Sequence, residues 1–317
     1  MPSAQRVLVA GGAGFIGRRL VQALCAADYE VVVAGRSLAA ANVFPPKVRY
    51  VQGDISDRNF CGSVLANTDA VIDLAHSLVP GTPPDLEIPN FMGSIAANMV
   101  LMDESAHRGV YRYLYVSSGG TVYGNAPVLP IPEFAPLNPI SPYGVAKVAV
   151  EQIGQHLFRS RQLPFLVARP SNPYGRSQGD RTQAMQGLID VAIKKIKCGE
   201  EIVVYGDGNM ERDYIHIDDL TSGLMEVFLH GHTGEAYNIG TSRGTSINTA
   251  ISILSACARE HGLKAVISHR ASRPADVETN AVSHQKLTDL SGWTPTIDLV
   301  DGIQRCFAGQ EATRWAA

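Results

Sequence analysis

Tyr143 and Lys147 stand four residues apart in SPYGVAK, a spacing that puts both side chains on one face of a helix. A free tyrosine titrates at about pH 10, which makes it a poor base near neutrality. A nearby ammonium favours the phenolate, so the pair has the makings of a proton-transferring base with its own activator. The same spacing occurs on many amphipathic helices and carries weight only in company. That company is YVSSGGTVYG at 115–124, where two β-formers lead into Ser117, Ser118, Gly119 and Gly120 and return through Thr121. A polar, glycine-rich run at the end of an apolar strand reads as a loop, and α/β folds place ligand sites on such loops.

GGAGFIG supplies the second cluster, with Gly11, Gly14 and Gly17 between an apolar strand pattern and a helical one. Glycine permits the tight turn, lets backbone approach a pyrophosphate and lets the helix pack close to the sheet, while the helix N-terminus favours the anion. A plain structural turn is the bland alternative, but the flanking strand and helix are what a dinucleotide site requires. An acidic residue at the end of the second strand would bind a ribose 2′-hydroxyl; here the residues are Gly35-Arg36-Ser37. Without the carboxylate a 2′-phosphate is not repelled, and Arg36 could pair with it, so NADP is favoured and NAD stays open. Asp54 and Ile55, after the third strand, suit an adenine contact, although Asp54 could equally cap a helix. Beside such a cofactor Lys147 could also hold the nicotinamide ribose, and an oxidised nicotinamide would further favour the phenolate of Tyr143.

These groups need a scaffold. RVLVAGG (6–12), YEVVVAG (29–35), VRYVQGD (48–54), DAVIDLA (69–75), YRYLYVSS (111–118) and PFLVARP (164–170) are continuous apolar or β-branched runs, as in strands buried on both faces. Helical patterns alternate with them at 15–28, 94–109 and 143–161, the last after the start signal NPISP. The pattern predicts an α/β fold, a Rossmann-like doubly wound parallel sheet, with a smaller C-terminal substrate-binding α/β lobe. Residues 1–170 form the dinucleotide-binding domain and 171–317 mainly the substrate domain. EAYNIGTS at 235–242 returns as one more strand of the main sheet, and the tail from 245 supplies two or three helices and a short strand.

Composition narrows the function. The 317 residues are 45% hydrophobic and 18% charged with a net charge of -3, an ordinary globular composition with no electrostatic case for nucleic acid. The short basic run KKIK at 194–197 reads as a solvated helix face. Five scattered cysteines lack CxxC spacing, which argues against a zinc site or redox pair and for a reducing compartment. No apolar run reaches membrane-spanning length and the N-terminus runs straight into the glycine motif, so a cytoplasmic protein is expected, with no metal and no membrane partner.

GGAGFIG, YVSSGGTVYG, YGVAK, RPSNPYG, GDGNMERDYIHIDDL and RPADV followed by SGWTP resemble, in order, the extended short-chain dehydrogenase/reductases, and within them the nucleotide-sugar epimerases related to UDP-galactose 4-epimerase. The resemblance runs from residue 6 to about 303. It implies a tightly held NAD(P), with Phe15, Ile16, Leu74, Ala75, Ser117 and Pro170 lining it beside the glycines, Arg36, Asp54 and Ile55. It implies Tyr143 as base and then acid, Lys147 on the ribose, and a nucleotide-sugar substrate held by Asn172, Tyr205, Arg212 and Arg273. A surface ion pair is the alternative for either arginine, with Asp218 and Asp276 available, and Asp218 and Asp219 otherwise read as caps of the following helix. A homodimer through the YxxxK helix and its neighbour near 94–109 is a family expectation.

Three departures matter. The family loop carries a Ser or Thr where this sequence has Gly119, so Ser118 or Thr121 must take over the hydroxyl role toward the substrate. The Asp-Glu of the family's dehydratases is replaced by Gly120 and Thr121, which disfavours 4,6-dehydration. In DLAHSL, His76 and Leu78 occupy positions where the epimerase has a small residue and a lysine; His76 either faces the nicotinamide site or is structural. The leading expectation is an NAD(P)-dependent nucleotide-sugar 4-epimerase in polysaccharide or other glycoside synthesis. The alternatives are a dehydratase or oxidoreductase of the same family and a non-catalytic cofactor sensor. A sensor would need neither Tyr143 with Lys147 nor the two arginines.

Overall fold

A computed structural model describes residues 5–37, 43–78, 82–175, 187–271 and 277–309. The first half runs β1 (Arg6–Ala10), α1 (Phe15–Ala26), β2 (Glu30–Gly35), β3 (Arg49–Gln52), α2 (Arg58–Val64), β4 (Ala70–Asp73), α3 (Pro84–Arg108), β5 (Arg112–Val116), α4 (Pro142–Arg161) and β6 (Phe165–Pro170). The second half continues with β7 (Asn172–Tyr174), α5 (Leu188–Cys198), β8 (Glu201–Tyr205), β9 (Glu211–Arg212), β10 (Tyr214–His216), α6 (Ile217–His230), β11 (Ala236–Ile239), β12 (Thr245–Ser246), α7 (Ile247–Glu260), β13 (Val266–Arg270), β14 (Thr279–Asn280), α8 (Gln285–Ser291) and α9 (Leu299–Ala308).

Seven parallel strands make the main sheet in the order β3-β2-β1-β4-β5-β6-β11, so the chain is an α/β protein with a doubly wound, Rossmann-like sheet. The apolar runs are continuous because both faces are covered. In β1, Val7 and Val9 point into a layer with Leu20 and Leu24 of α1 and Leu220 and Leu224 of α6. Leu8 and Ala10 point the other way, toward Leu101 and Met102 of α3 and Val150 of α4. Each fully buried Val or Leu contributes about 1.5–3 kcal/mol against solvent exposure. The strand order reverses between β1 and β4, which opens the crevice that such sheets use for ligands. A separate core in the C-terminal half joins Ile193 and Ile196 of α5, Leu254 of α7 and Ile303 of α9.

The helix expected at 94–109 starts ten residues earlier, at Pro84. Pro84 stands at N1, where its missing N–H would have no intrahelical partner, while Pro89 gives up one bond inside the helix. In α4 the NPISP signal works as expected: Ser141 accepts from the Gly144 N–H at 3.2 Å and Pro142 opens the first turn. The tail carries three helices and, among the described residues, three short strands rather than one. Among the described residues no helix is long and apolar enough to cross a membrane.

A buried ion pair fixes α4 to the sheet. Glu151 faces Arg169 of β6, whose Nη2 donates to Glu151 Oε2 at 2.6 Å, and the two residues are 2% and 6% exposed. Arg169 Nη1 also donates to the Tyr123 hydroxyl at 2.8 Å and the Glu133 carbonyl at 3.1 Å, and Tyr123 donates onward to Asn238 Oδ1 at 2.8 Å. Glu151→Ala would leave a buried guanidinium uncompensated and is expected to cost about 3–5 kcal/mol of unfolding free energy in urea titration. Removing Glu30, which meets Arg6 at the surface at 2.7 Å, should cost about 0–1 kcal/mol. Equal effects of the two substitutions would deny the buried pair its role.

Candidate active site

The glycine loop and the end of β4 meet at the crevice. Gly11 has φ 73°, in the left-handed region that favours glycine, and a side chain there would sit 2.9 Å from the Ala75 nitrogen and the Leu74 carbonyl carbon. Gly14 opens α1 in extended conformation with no side-chain cap, so the first-turn N–H groups keep their capacity for an anion. Gly17 lies where a Cβ would be 2.6 Å from Gly12 Cα, and Phe15 and Ile16 pack partly buried against the core. Farther along, Arg36 is exposed and donates to Ser77 Oγ at 3.3 Å. Asp54 accepts from the Ser56 N–H at 2.9 Å, a bond that holds its carboxyl below the usual range. The cap of α2 is instead Asp57, which accepts from the Asn59 N–H at 2.8 Å, so Asp54 makes a local turn next to the buried Ile55.

Tyr143 and Lys147 come off the first turns of α4 beside the carboxyl ends of β4 and β5. Lys147 is 3% exposed, and its ammonium donates to the Val116 carbonyl at 2.9 Å and lies 4.9 Å from the Tyr115 ring and 5.8 Å from the Tyr143 ring. Burial lowers its pKa, while Asp73 and Glu151 oppose that shift. Asp73, wholly buried at the end of β4, accepts from the Tyr113 hydroxyl at 2.6 Å and the Ala75 N–H at 3.0 Å. Burial raises its pKa and Lys147 pulls it back. The ring of Tyr143 keeps some exposure, but burial of its hydroxyl pushes the pKa up to about 12, against a hydrogen bond with Ser118.

The two candidate hydroxyls differ: Ser118 is close enough to Tyr143 to pull its pKa down, whereas Thr121 Oγ1 is buried without a partner among the described residues. Gly119 accounts for the departure from the family loop: its N–H donates to the Pro170 carbonyl at 2.7 Å, and a Cβ would lie 2.7 Å from the Arg169 carbonyl oxygen. Ser117 is held the same way, its N–H donating to the Ala168 carbonyl at 2.8 Å. The loop therefore lies flat on the end of β6, and no side chain fits at 119.

The remaining positions are more dispersed. Asn172 donates to the Asp213 carbonyl at 3.2 Å, with Oδ1 3.3 Å from where a Gly120 Cβ would stand. Tyr205 ends β8 opposite Arg270, and Arg212 of β9 donates to its neighbour's carbonyl at 2.8 Å; both lie in the C-terminal half of the chain. Arg273 and Asp276 lie outside the described residues. Asp218 pairs with Arg19 of α1 and Asp219 accepts from the Ile297 N–H at 2.8 Å and the Thr296 hydroxyl at 2.9 Å. The side-chain cap of α6 is His216, which accepts from the Asp218 N–H at 3.2 Å. Sequence reasoning missed Asp73, Glu151 and Arg169. The signals were a carboxylate closing an apolar strand, and an acid one helical turn beyond Lys147.

Both ring nitrogens of His76 and the hydroxyls of Ser117, Thr121 and Ser171 are buried at this end of the sheet with no hydrogen-bond partner among the described residues. Buried polar atoms are ordinarily satisfied, so these groups retain hydrogen-bonding capacity that water or a ligand would use. Together with the glycine-lined crevice, these residues fit a dinucleotide with a polar second ligand.

Residues 7–240 match the model of the NAD dependent epimerase/dehydratase family. A UDP-glucose 4-epimerase of Azospirillum brasilense is 30% identical over 318 residues, covering 95% of this chain and 90% of that protein. A dTDP-glucose 4,6-dehydratase of an Actinoplanes species is 28% identical over 325 residues, covering 98% of each. The crystal structure of UDP-glucose 4-epimerase from Thermotoga maritima, with UDP-glucose, superposes with a TM-score of 0.88 at 27% identity, covering 98% of this chain and 99% of that one. With the crevice, the Tyr143–Lys147 pair and the family's sequence model in agreement, the chain belongs to the NAD dependent epimerase/dehydratase family of extended short-chain dehydrogenase/reductases.

Proposed function

We propose that this protein is a nucleotide-sugar 4-epimerase, acting on a UDP-sugar, with Tyr143 as its base. The observation that carries this reading is Tyr143 on the first turn of α4 with the buried Lys147 ammonium 5.8 Å from its ring, at the carboxyl edge of a dinucleotide crevice. When bound, a nicotinamide dinucleotide supplies reversible hydride acceptance from the sugar carbon. Tyr143 takes the proton of the sugar hydroxyl and later returns it, Ser118 orients the phenol, and Lys147 lowers the cost of the phenolate. Asn172, Tyr205, Arg212 and Arg273 hold the nucleoside diphosphate, the arginines through their bidentate fit to phosphate. The absence of carboxylates at Gly120 and Thr121 supports epimerisation over loss of water.

The cofactor we propose is NADP. Arg36 is exposed at the end of β2, and a side chain at Gly35 would press on the Tyr50 hydroxyl at 2.9 Å, which supports a 2′-phosphate site over a ribose-binding acid. We further propose a homodimer: Ile88, Met92 and Met99 form an exposed apolar stripe on α3, beside an apolar groove shared with Ile153 and Leu157 of α4.

Incubation with UDP-, dTDP-, GDP- and ADP-glucose, followed by NMR and mass spectrometry, should yield a 4-epimer of unchanged mass from the UDP-sugar. A product lighter by one water would make the protein a dehydratase, and no conversion at all would favour the sensor. Tyr143→Phe should cut turnover at least about 100-fold with cofactor affinity unchanged. Ser118→Ala should cost about 10-fold or more, as for a hydrogen bond to a charged group, and Thr121→Ala little; the reverse order would move the hydroxyl role to Thr121. NADP should bind about 10-fold tighter than NAD, and Arg36→Ala should erase that margin. A wild-type preference for NAD sinks the cofactor proposal. Met92→Glu with Met99→Glu should turn a dimer into a monomer in sedimentation experiments, and a wild-type monomer would refute the interface.

A further inference from the structure

His76 follows β4 in a segment that α3 pins on both sides. The Asn98 side chain donates to the Ala75 carbonyl at 3.2 Å, and Ser94 Oγ accepts from the Ser77 N–H at 2.9 Å and the Leu78 N–H at 3.3 Å. Ser94 and Asn98 are each 1% exposed, and Asp73 closes the other end by accepting from the Ala75 N–H at 3.0 Å. With the backbone fixed, the imidazole stands edge-on to the Tyr143 ring, centroids 5.2 Å apart at 79°. A histidine kept for packing would hydrogen-bond its nitrogens to protein groups. Both nitrogens here are buried and have no partner among the described residues. Burial, reinforced by Lys147, pushes the imidazole pKa down to about 2, so the ring is neutral and offers one donor and one acceptor.

We infer that His76 is a specificity-determining residue that hydrogen-bonds a hydroxyl of the sugar ring adjacent to the position Tyr143 acts on. The inference rests on the nucleotide-sugar reading of the site. The supporting geometry is the T-shaped packing of the imidazole on the Tyr143 ring at 5.2 Å, which sets His76 beside any ligand whose hydroxyl meets the phenol. A site that buries polar nitrogens for a hydroxyl rejects a ligand lacking it, because the nitrogens are then left unpaired. His76 would therefore read which substituent flanks the reacting carbon, while the diphosphate is gripped elsewhere.

The test is calorimetric titration of the cofactor-loaded protein with UDP-glucose and with UDP, in wild type, His76→Leu and His76→Asn. His76→Leu keeps an apolar body of similar size and removes both nitrogens; His76→Asn restores a donor and an acceptor. The expected result is an affinity for UDP-glucose about 10-fold weaker in His76→Leu, equal to 1.4 kcal/mol, with recovery in His76→Asn and unchanged affinity for UDP. Equal UDP-glucose affinities in wild type and His76→Leu, with UDP bound normally, would overturn the inference alone. Parallel losses of UDP, cofactor and melting temperature would also overturn it, by showing a packing role. If the wild type bound neither UDP nor UDP-glucose, the UDP-sugar reading on which the inference rests would fail and the inference with it.

Discussion

The structure depends on one awkward helix face. Tyr143, Lys147 and Glu151 follow one another at four-residue intervals along α4, and the fold turns that polar stripe inward against a sheet. Burying charges is expensive unless each finds a partner. Glu151 takes Arg169 from β6, Lys147 takes the Val116 carbonyl from β5 in the field of Asp73 from β4, and Tyr143 packs its ring on His76 from the segment after β4. Three neighbouring strands must therefore end at matching heights. A buried ion pair is weak proof of stability; its consequence here is register, because α4 cannot slide along its axis without stranding a charge.

The same pairing governs reactivity. Lys147 is drawn toward Val116 and faces the carboxylates of Asp73 and Glu151, so part of its positive field is already spoken for. Desolvation then dominates at Tyr143 and pushes the phenol pKa up to about 12, with Ser118 pulling it only partly back. Further positive charge near the phenol is what would tip that balance. On the function proposed above, the charge of a bound oxidised nicotinamide would supply it, and Tyr143 would become an effective base only with the cofactor in place.

Much of this was legible in the chain itself. Period and apolarity locate β1 to β6 within a residue or two, because strands covered on both faces must be apolar throughout. GGAGFIG and SPYGVAK announce themselves by spacing. What stayed hidden depends on distant partners. Glu151 and Arg169 are 18 residues apart and read singly as ordinary surface charges. Asp73 ends an apolar strand with nothing in its neighbourhood to show that Tyr113 will bind it. The early start of α3 was masked by Pro84 and Pro89, which punctuate a sequence; Pro84 is tolerable where the first helical N–H groups lack partners anyway, and Pro89 costs the helix one bond without ending it.

Gly119 shows how a local departure can mislead. Read along the chain, it removes a hydroxyl that the family loop supplies. Read in space, it is a steric requirement, since the Arg169 carbonyl oxygen and Val282 fill the volume a side chain would need. The loop can then lie against β6, with the Gly119 carbonyl held by Asn280 at 3.0 Å. On the β4 side, His76 packs its ring against Tyr143 at 5.2 Å, a bulkier and more polar group than the small residue the family resemblance led one to expect. The two departures are of different kinds: Gly119 is required by backbone and Val282 packed against it, whereas His76 adds a side chain beside the phenol.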